Sequence, residues 1–458
     1  MKRIAKIVFL FLTYLLVSCG HKPEPSTTIE PLDFEWKFLY NGTWYEARVP
    51  GNIHTDLFRN GLIEDPFFGD NEKKLQWIGN HAWHYKTEFS IENNQKQQIS
   101  ELVFEGLDTR TTIILNGQII AKTDNMFREW VFDVSNSLQP GRNTLELVFD
   151  PVAPANDSMA ACLTYTLPDK RVFTRKAPYH SGWDWGPCFE TCGIWKPAYL
   201  RHWQSFRITD FRVDTKSLSV EQAAMQAVAV IESEAAQEAE LIISSEINLE
   251  FTATKKINLQ PGENRVSIDF SLKNPALWQC NQRGKANLYR FKAEIKTRHN
   301  YDTAICITGI RTVRLVSEPD SIGQNFYFEL NGSPVFAKGA NWIPMESFPG
   351  SVSRDKYRQL LIMARDAGFN MLRVWGGGYY EDDAFYEICD SLGIMVWQDF
   401  MFACAVYPGD QNFASNIEAE AKYQVQRLRH HPCLAMWCGN NEVSNGWFDW
   451  GWQQTLGY

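Results

Sequence analysis

Three regimes of hydrophobic patterning follow one another along the chain. From residue 30 to 205, apolar and polar positions alternate in short runs broken by turn residues. Residues 101–107 and 111–115 read as strands, and Asn116-Gly117 supplies a two-residue hairpin turn into 118–120. Residues 130–134 and 144–149 continue the series, separated by Pro140-Gly141. Many short strands at this spacing predict a jelly-roll-like β-sandwich. From 206 to 316, Gly and Trp become scarce and strands are expected at 224–231, 239–247, 266–270 and 289–295, with a turn at Pro261-Gly262. This second unit has the size of an immunoglobulin-like sandwich.

The period changes again over 317–458. A hairpin is expected from 325–330, Asn331-Gly332 and 334–338. Helix and strand then alternate. Ser353 caps a helix whose apolar positions Tyr357, Leu360, Leu361, Ala364 and Ala367 keep the 3.6-residue period until Gly368. Strands follow at 370–375, 394–397 and 433–437, with helices at 382–392, stopped by Gly393, and 416–429, ended near Pro432. Counting 334–338 as the first strand, four strands and three intervening helices make the first half of a (β/α)8 barrel.

A barrel gathers its chemistry at the carboxyl ends of its strands. The first strand leads to Asn341 and Trp342, the second to Trp375-Gly376-Gly377-Gly378, the third to Asp399, and the fourth to Asn440-Asn441-Glu442. Aromatic planes stack on the apolar face of a pyranose, while amides and acids bind its hydroxyls. As an isolated motif, Asn440-Asn441-Glu442 is equally a solvated turn; its place after a fourth apolar strand favours catalysis. Glu442 can protonate a leaving glycosidic oxygen and then act as base on water, and Asn441 can hydrogen-bond the sugar 2-hydroxyl. Asp399 has two readings, sugar binding or an ion pair with Arg373. The glycines after Trp375 suit close approach of backbone to a ligand rather than simple core. Asp355 and Asp366 are expected to be solvated, and His430 and His431 to interact with a helix end. Far upstream, Trp183-Asp184-Trp185-Gly186-Pro187 is either a rigid loop presenting Asp184 between two rings or a sandwich-edge loop packed on its own domain.

Composition narrows the partners. Seventeen Trp in 458 residues exceed what cores alone require, which fits sugar stacking. The net charge of −9, with no basic cluster, argues against nucleic acid. Lys2-Arg3, the apolar run 7–17 and Ser18-Cys19 predict a signal peptide over 1–19 with Cys19 as the lipidated residue of an envelope lipoprotein, facing the periplasm or the cell surface. The membrane contact is then through that lipid alone. Pro23, Pro25, Ser26, Thr27 and Thr28 predict a tether over 20–29. Cys188/Cys192 and Cys433/Cys438 lack His partners at zinc spacing, so no metal and no cofactor is expected, and the remaining cysteines are expected to be buried free thiols.

The ordered motifs resemble family 2 glycoside hydrolases, and within them the β-mannosidases. The resemblance rests on residues 49–57, Leu107-Asp108-Thr109, Leu115-Asn116-Gly117, residues 181–187, residues 373–378 and residues 437–442. It implies retaining hydrolysis of non-reducing terminal β-D-mannose from oligosaccharides. Glu442 would be the acid/base, Asn441, Trp183, Asp184 and Trp185 would contact the sugar, and Trp375 would wall the subsite. The family's nucleophile is a Glu on the seventh barrel strand, and this sequence reaches only the fourth. The resemblance therefore puts the nucleophile beyond Tyr458, and no residue of this sequence is assigned that role. The chain is expected to be an inactive fragment with unpaired strand edges. Exo-β-glucosaminidases share a Trp-Asp-Trp loop and remain an alternative; a non-catalytic carbohydrate-binding lipoprotein is an alternative of another class.

Overall fold

In the computed structural model, residues 23–91, 98–247 and 251–456 are described. The signal segment and Cys19 lie outside them. So does Tyr458, the position beyond which the nucleophile is expected, and the described residues leave that expectation untouched. The first unit packs two antiparallel sheets. One has six strands in the order 43–47, 36–40, 83–91, 141–149, 111–115, 118–123; the other has four, 130–133, 99–104, 198–203, 27–31. Alternation decides the faces: Trp83, Tyr85, Phe89, Leu145, Leu147 and Phe149 turn inward to a core shared with Trp36, Phe38, Leu102 and Phe104. The hairpin at Asn116-Gly117 has both residues at positive φ, 52° and 80°, the backbone a two-residue turn needs.

The second unit is a sandwich of three strands, 206–218, 222–233 and 262–273, against a five-stranded sheet. The fifth strand of that sheet is Glu24–Pro25, parallel to Asn300–Thr308. Thr27–Pro31 pairs with Ala198–Trp203 in the first unit. The expected tether is therefore corrected: from Glu24 these residues are strand, stapling both sandwiches, because two sheet edges were open to receive them.

A three-stranded antiparallel sheet, Val313–Val316, Tyr327–Leu330 and Ser333–Val335, precedes the barrel. The expectation that 334–338 is the first barrel strand is thus corrected: the Asn331-Gly332 turn folds Ser333–Val335 back onto the hairpin. The parallel sheet consists of β1 (Gly339–Trp342), β2 (Met371–Val374), β3 (Met395–Asp399) and β4 (Leu434–Cys438), hydrogen-bonded in that order. Helices α1 (Arg354–Asp366), α2 (Asp383–Leu392) and α3 (Gln411–Leu428) connect them. Ser353 caps α1 through Lys356 N, and Gly393, at φ +71°, ends α2. Helix α3 starts five residues before its expected position because Asp410 accepts from Asn412 N and Phe413 N, both at 3.0 Å. Four adjacent parallel strands with crossover helices are half of a (β/α)8 barrel.

All nine cysteines of the described residues are free, but only Cys280, Cys306, Cys389 and Cys433 are buried; Cys162 is exposed. His431 is not a helix-end partner. It is buried, with Nδ1 2.6 Å from Asp390 Oδ2.

Candidate active site

Strand β4 delivers Asn441 and Glu442 to the carboxyl end of the sheet. Glu442 takes a left-handed conformation, φ +59° and ψ +13°, at the start of the short helix Val443–Phe448. A non-glycine residue there carries strain of about 1 kcal/mol or more, and such strain concentrates at functional sites. The turn holds an exposed carboxylate over the strand end. Its Oε2 lies 3.1 Å from Asn441 Nδ2 and 3.3 Å from Cys404 Sγ. Among the described residues, the hydrogen-bond partners of this carboxylate are an amide and a thiol, not a second acid.

Asn441 is buried and fully oriented. Its backbone bridges to the loop after β3, N to Phe402 O at 2.8 Å and O from Cys404 N at 3.1 Å. Its Oδ1 accepts from Arg373 Nη2 at 2.8 Å. Arg373, on β2, also donates from Nη2 to Asp399 Oδ2 at 2.7 Å and from Nη1 to Asn341 Oδ1 at 3.3 Å. One guanidinium thus joins strands β1, β2 and β3 to the Asn441 side chain, a role for which its planar fork is suited.

Two expected sugar contacts are corrected. Asp399 is fully buried, and both its oxygens are occupied: Oδ1 by Trp397 Nε1 at 2.9 Å, Oδ2 by Arg373 and by Gly376 N at 3.1 Å. Burial pushes its carboxyl upward, opposed by Arg373. It positions Arg373 and is shut off from solvent. Trp342 is core. It packs on Phe385 at 4.8 Å and donates Nε1 to the buried Glu381 Oε1 at 2.9 Å.

Trp375 lies where β2 turns into Gly376-Gly377-Gly378. A Cβ on Gly377 would fall 1.9 Å from its ring, so the far edge of the indole lies against Gly377 with no room for a side chain. Trp183 meets it edge to face at 4.8 Å, and Trp185 at 5.8 Å. The structure therefore brings together Trp183, Trp185 and Trp375, which are nearly two hundred residues apart in sequence. Asp184 is exposed at the tip of a turn closed by Trp183 and Gly186, whose backbones pair at 3.4 and 3.3 Å.

The loop does not pack on its own domain alone, as the sandwich-edge reading has it; it docks on the barrel. Tyr179 N donates to Gly377 O at 3.0 Å, and Tyr179 Oη to Ser347 O at 3.2 Å. Arg171 Nη2 donates to Ala403 O at 3.1 Å, and its guanidinium lies 5.4 Å from the Trp183 ring. Deeper in, Arg175 forms a bidentate pair with Glu420 of α3, at 2.8 and 2.7 Å, and donates to Met401 O at 2.9 Å. Asn125 and Tyr380 fill the remaining acceptor positions of Glu420. Arg171, Arg175, Glu420 and Cys404 were not anticipated. The only sequence signal was the cationic run around Arg171, Arg175 and Lys176, which no periodicity marks as buried.

Among the described residues, one buried group has metal-ligand chemistry: Asp390, His431 and Cys433, whose ligand atoms lie within 4.8 Å of one another. Asp390 already accepts from Cys433 N at 2.8 Å and contacts His431, while burial first, and then Asp390, hold the Cys433 thiol well above its usual range. A protonated thiol is a poor ligand, and the trio ties α2 to β4.

Comparison with known proteins agrees with this arrangement. Residues 34–196 match the glycosyl hydrolase 2 galactose-binding domain-like model, and residues 206–311 match the glycosyl hydrolases family 2 model. The chain is 35% identical over 479 residues to a beta-mannosidase of Capra hircus, covering 96% of this chain and 53% of that protein. It is 35% identical over 429 residues to beta-mannosidase B of Thermothelomyces thermophilus, covering 90% and 50%. The solved beta-D-mannosidase of Dictyoglomus thermophilum superposes with a TM-score of 0.89 at 41% identity, over 92% of this chain and 53% of that one. The Amycolatopsis orientalis exo-chitosanase shares the fold alone, with a TM-score of 0.74 at 17% identity, over 90% and 49%. The chain spans about half the length of the curated relatives it matches. Two sandwiches, a half barrel with its acid at the fourth strand, and these matches together show that the chain belongs to glycosyl hydrolase family 2.

Proposed function

We propose that this chain supplies the acid/base and the sugar-recognition loop of a retaining exo-β-mannosidase. The observation that carries the reading is the exposed Glu442 carboxylate, backed by Asn441 and set at the strand ends to which the Trp183–Trp185 loop is anchored. In the first step a protonated Glu442 gives its proton to the glycosidic oxygen; in the second it takes a proton from water. Asn441 hydrogen-bonds the sugar 2-hydroxyl as charge develops. Trp375, Trp183 and Trp185 give the pocket an aromatic end wall, and Asp184, with no protein partner among the described residues, binds hydroxyls. A closed end wall suits removal of a single terminal sugar. The opposing nucleophile belongs to the remaining length that the relatives possess, beyond Tyr458.

The test is turnover of an aryl β-mannoside by the full-length polypeptide. Glu442→Gln should abolish cleavage of a substrate with a poor leaving group, and proton NMR should show the β-anomer released first. Release of the α-anomer, or unaltered turnover in Glu442→Gln, overturns the reading. Faster cleavage of an aryl β-glucosaminide would favour the exo-β-glucosaminidase alternative.

We also infer export and lipid attachment at Cys19, supported by Lys2-Arg3, the apolar run after them and Ser18-Cys19. Radiolabelled palmitate should be incorporated in wild type and not in Cys19→Ala; equal labelling sinks the inference.

A further inference from the structure

The six-stranded sheet of the first sandwich carries an aromatic groove on its outer face. Trp36, Phe38, Trp83 and Tyr85 point inward, so the alternate positions Lys37, Lys86 and Glu88 point out. On the edge strand Thr43–Ala47, Trp44 lies opposite Leu39 and is 40% exposed. Phe34, 46% exposed, borders the same groove and stacks on Phe89 at 6.4 Å with planes 7° apart. Lys86 Nζ lies 6.0 Å from the Trp44 ring, and Arg142 is ion-paired with Glu88. The groove holds about 590 Å³, and no residue lining it belongs to the barrel.

Single exposed aromatics need no explanation. Here two frame one groove whose walls carry three cations and the carboxylates of Glu35 and Glu88. The volume is that of a small-ligand site, and eight lining residues fall far short of a protein interface of roughly 20–30 residues a side. The walls offer donors and acceptors of both signs, which suits hydroxyls, since a hydroxyl both donates and accepts. A polyanion would meet the two carboxylates. The indole plane matches the apolar C–H face of a pyranose.

We propose that this groove is a second, non-catalytic glycan site, in which Trp44 stacks on a pyranose of a β-mannan chain while Lys37, Lys86 and Arg142 bind its hydroxyls. The choice of mannan rests on the proposed function; the glycan site does not. It would hold polymer on the same molecule as the catalytic mouth and so raise the local concentration of chain ends.

The test is native affinity electrophoresis of the full chain through gels containing soluble β-mannan, mixed-linkage glucan or polygalacturonate, with Trp183→Ala as the background that disables the catalytic pocket. Retardation by mannan should persist in that background, fall at least tenfold in apparent affinity with Trp44→Ala, and be largely kept by Trp44→Tyr, which retains a stacking ring. Retardation by glucan but not mannan, with the same Trp44 dependence, keeps the glycan site and overturns the mannan assignment, and with it support for the mannosidase reading. Retardation by polygalacturonate alone, binding indifferent to Trp44→Ala, or no retardation by either neutral glycan overturns the proposal. Equal unfolding midpoints for Trp44→Ala and Trp44→Tyr show that the comparison reports binding rather than folding.

Discussion

Arg373 and Asn441 share one hydrogen bond, Nη2 to Oδ1 at 2.8 Å, and it sets which way the amide faces. With Oδ1 engaged, Nδ2 is left 3.1 Å from Glu442 Oε2. The acid/base candidate is thus oriented from the second strand, through a residue that never touches it.

That relationship makes Arg373→Lys a damaging change despite the kept charge. Lysine cannot span Asp399, Asn341 and Asn441 with one planar group. In the full-length polypeptide, kcat/KM for an aryl β-mannoside should fall about 100-fold, the scale expected when a preorganised polar group is lost. Steady-state kinetics check this; a change under threefold would show that Asn441 is held by its backbone alone.

Gly377→Ala should displace Trp375. The added methyl would fall 1.9 Å from the ring, so the indole must leave its place against Trp183. A misplacement on the order of 1 Å costs about 100-fold in rate. A crystal structure of the variant should show the ring rotated, and kinetics should show the loss, with the unfolding midpoint nearly unchanged if the turn after β2 tolerates alanine.

Arg175 and Glu420 form a buried pair joining the segment before the Trp183–Trp185 loop to α3. Arg175→Met leaves a buried carboxylate without its cation and should cost about 3–5 kcal/mol. Arg175→Met combined with Glu420→Leu should recover much of that loss, because no unpaired charge remains. Denaturant unfolding of the three variants measures the coupling; additive losses would mean that the pair does not act as a unit.

Glu381 is a pH-dependent element of the fold. Burial pushes its carboxyl from 4.5 up to about 7, against the hydrogen bonds from Tyr357 and Trp342. A folded-state value above the unfolded one means that the folded state binds the proton more tightly. The resulting stability is fully present below about pH 4.5 and is lost as pH rises through 7. Wild type should lose up to about 1.4 kcal/mol per pH unit across that window. Glu381→Gln should lack this component, which thermal unfolding at pH 5, 6, 7 and 8 would reveal as a flatter profile.

Legibility differed by residue. Ser353, Gly393 and the Asn116-Gly117 turn were readable because capping and positive-φ backbone are local chemistry. The second, third and fourth barrel strands were readable because covered parallel strands are mostly apolar, whereas the first, Gly339–Trp342, was not, being short and largely exposed. The Glu24–Pro25 and Thr27–Pro31 strands were not: their Pro-rich composition reads as tether, and only open sheet edges elsewhere in the molecule make them strands. Trp342 and Trp375 look alike in sequence, each placed at or just past the end of a short barrel strand. Trp342 points between α1 and α2, whereas Trp375 meets the loop carrying Trp183 and Trp185.

By itself the sequence determined the element types, the order of two sandwiches and a half barrel, and the placement of Glu442 after the fourth strand, because period, caps and turns act over a few residues. Only the tertiary structure decided which polar groups face the mouth. Asp399 was equally a sugar ligand or an ion-pair partner until Arg373, Trp397 and Gly376 were seen to occupy both its oxygens. The Trp183–Trp185 loop was equally a rigid loop presenting Asp184 or a sandwich-edge loop packed on its own domain until Tyr179, Arg171 and Arg175 were seen to bind the barrel. Hydrogen-bond saturation depends on partners brought close by folding, and no local pattern encodes it.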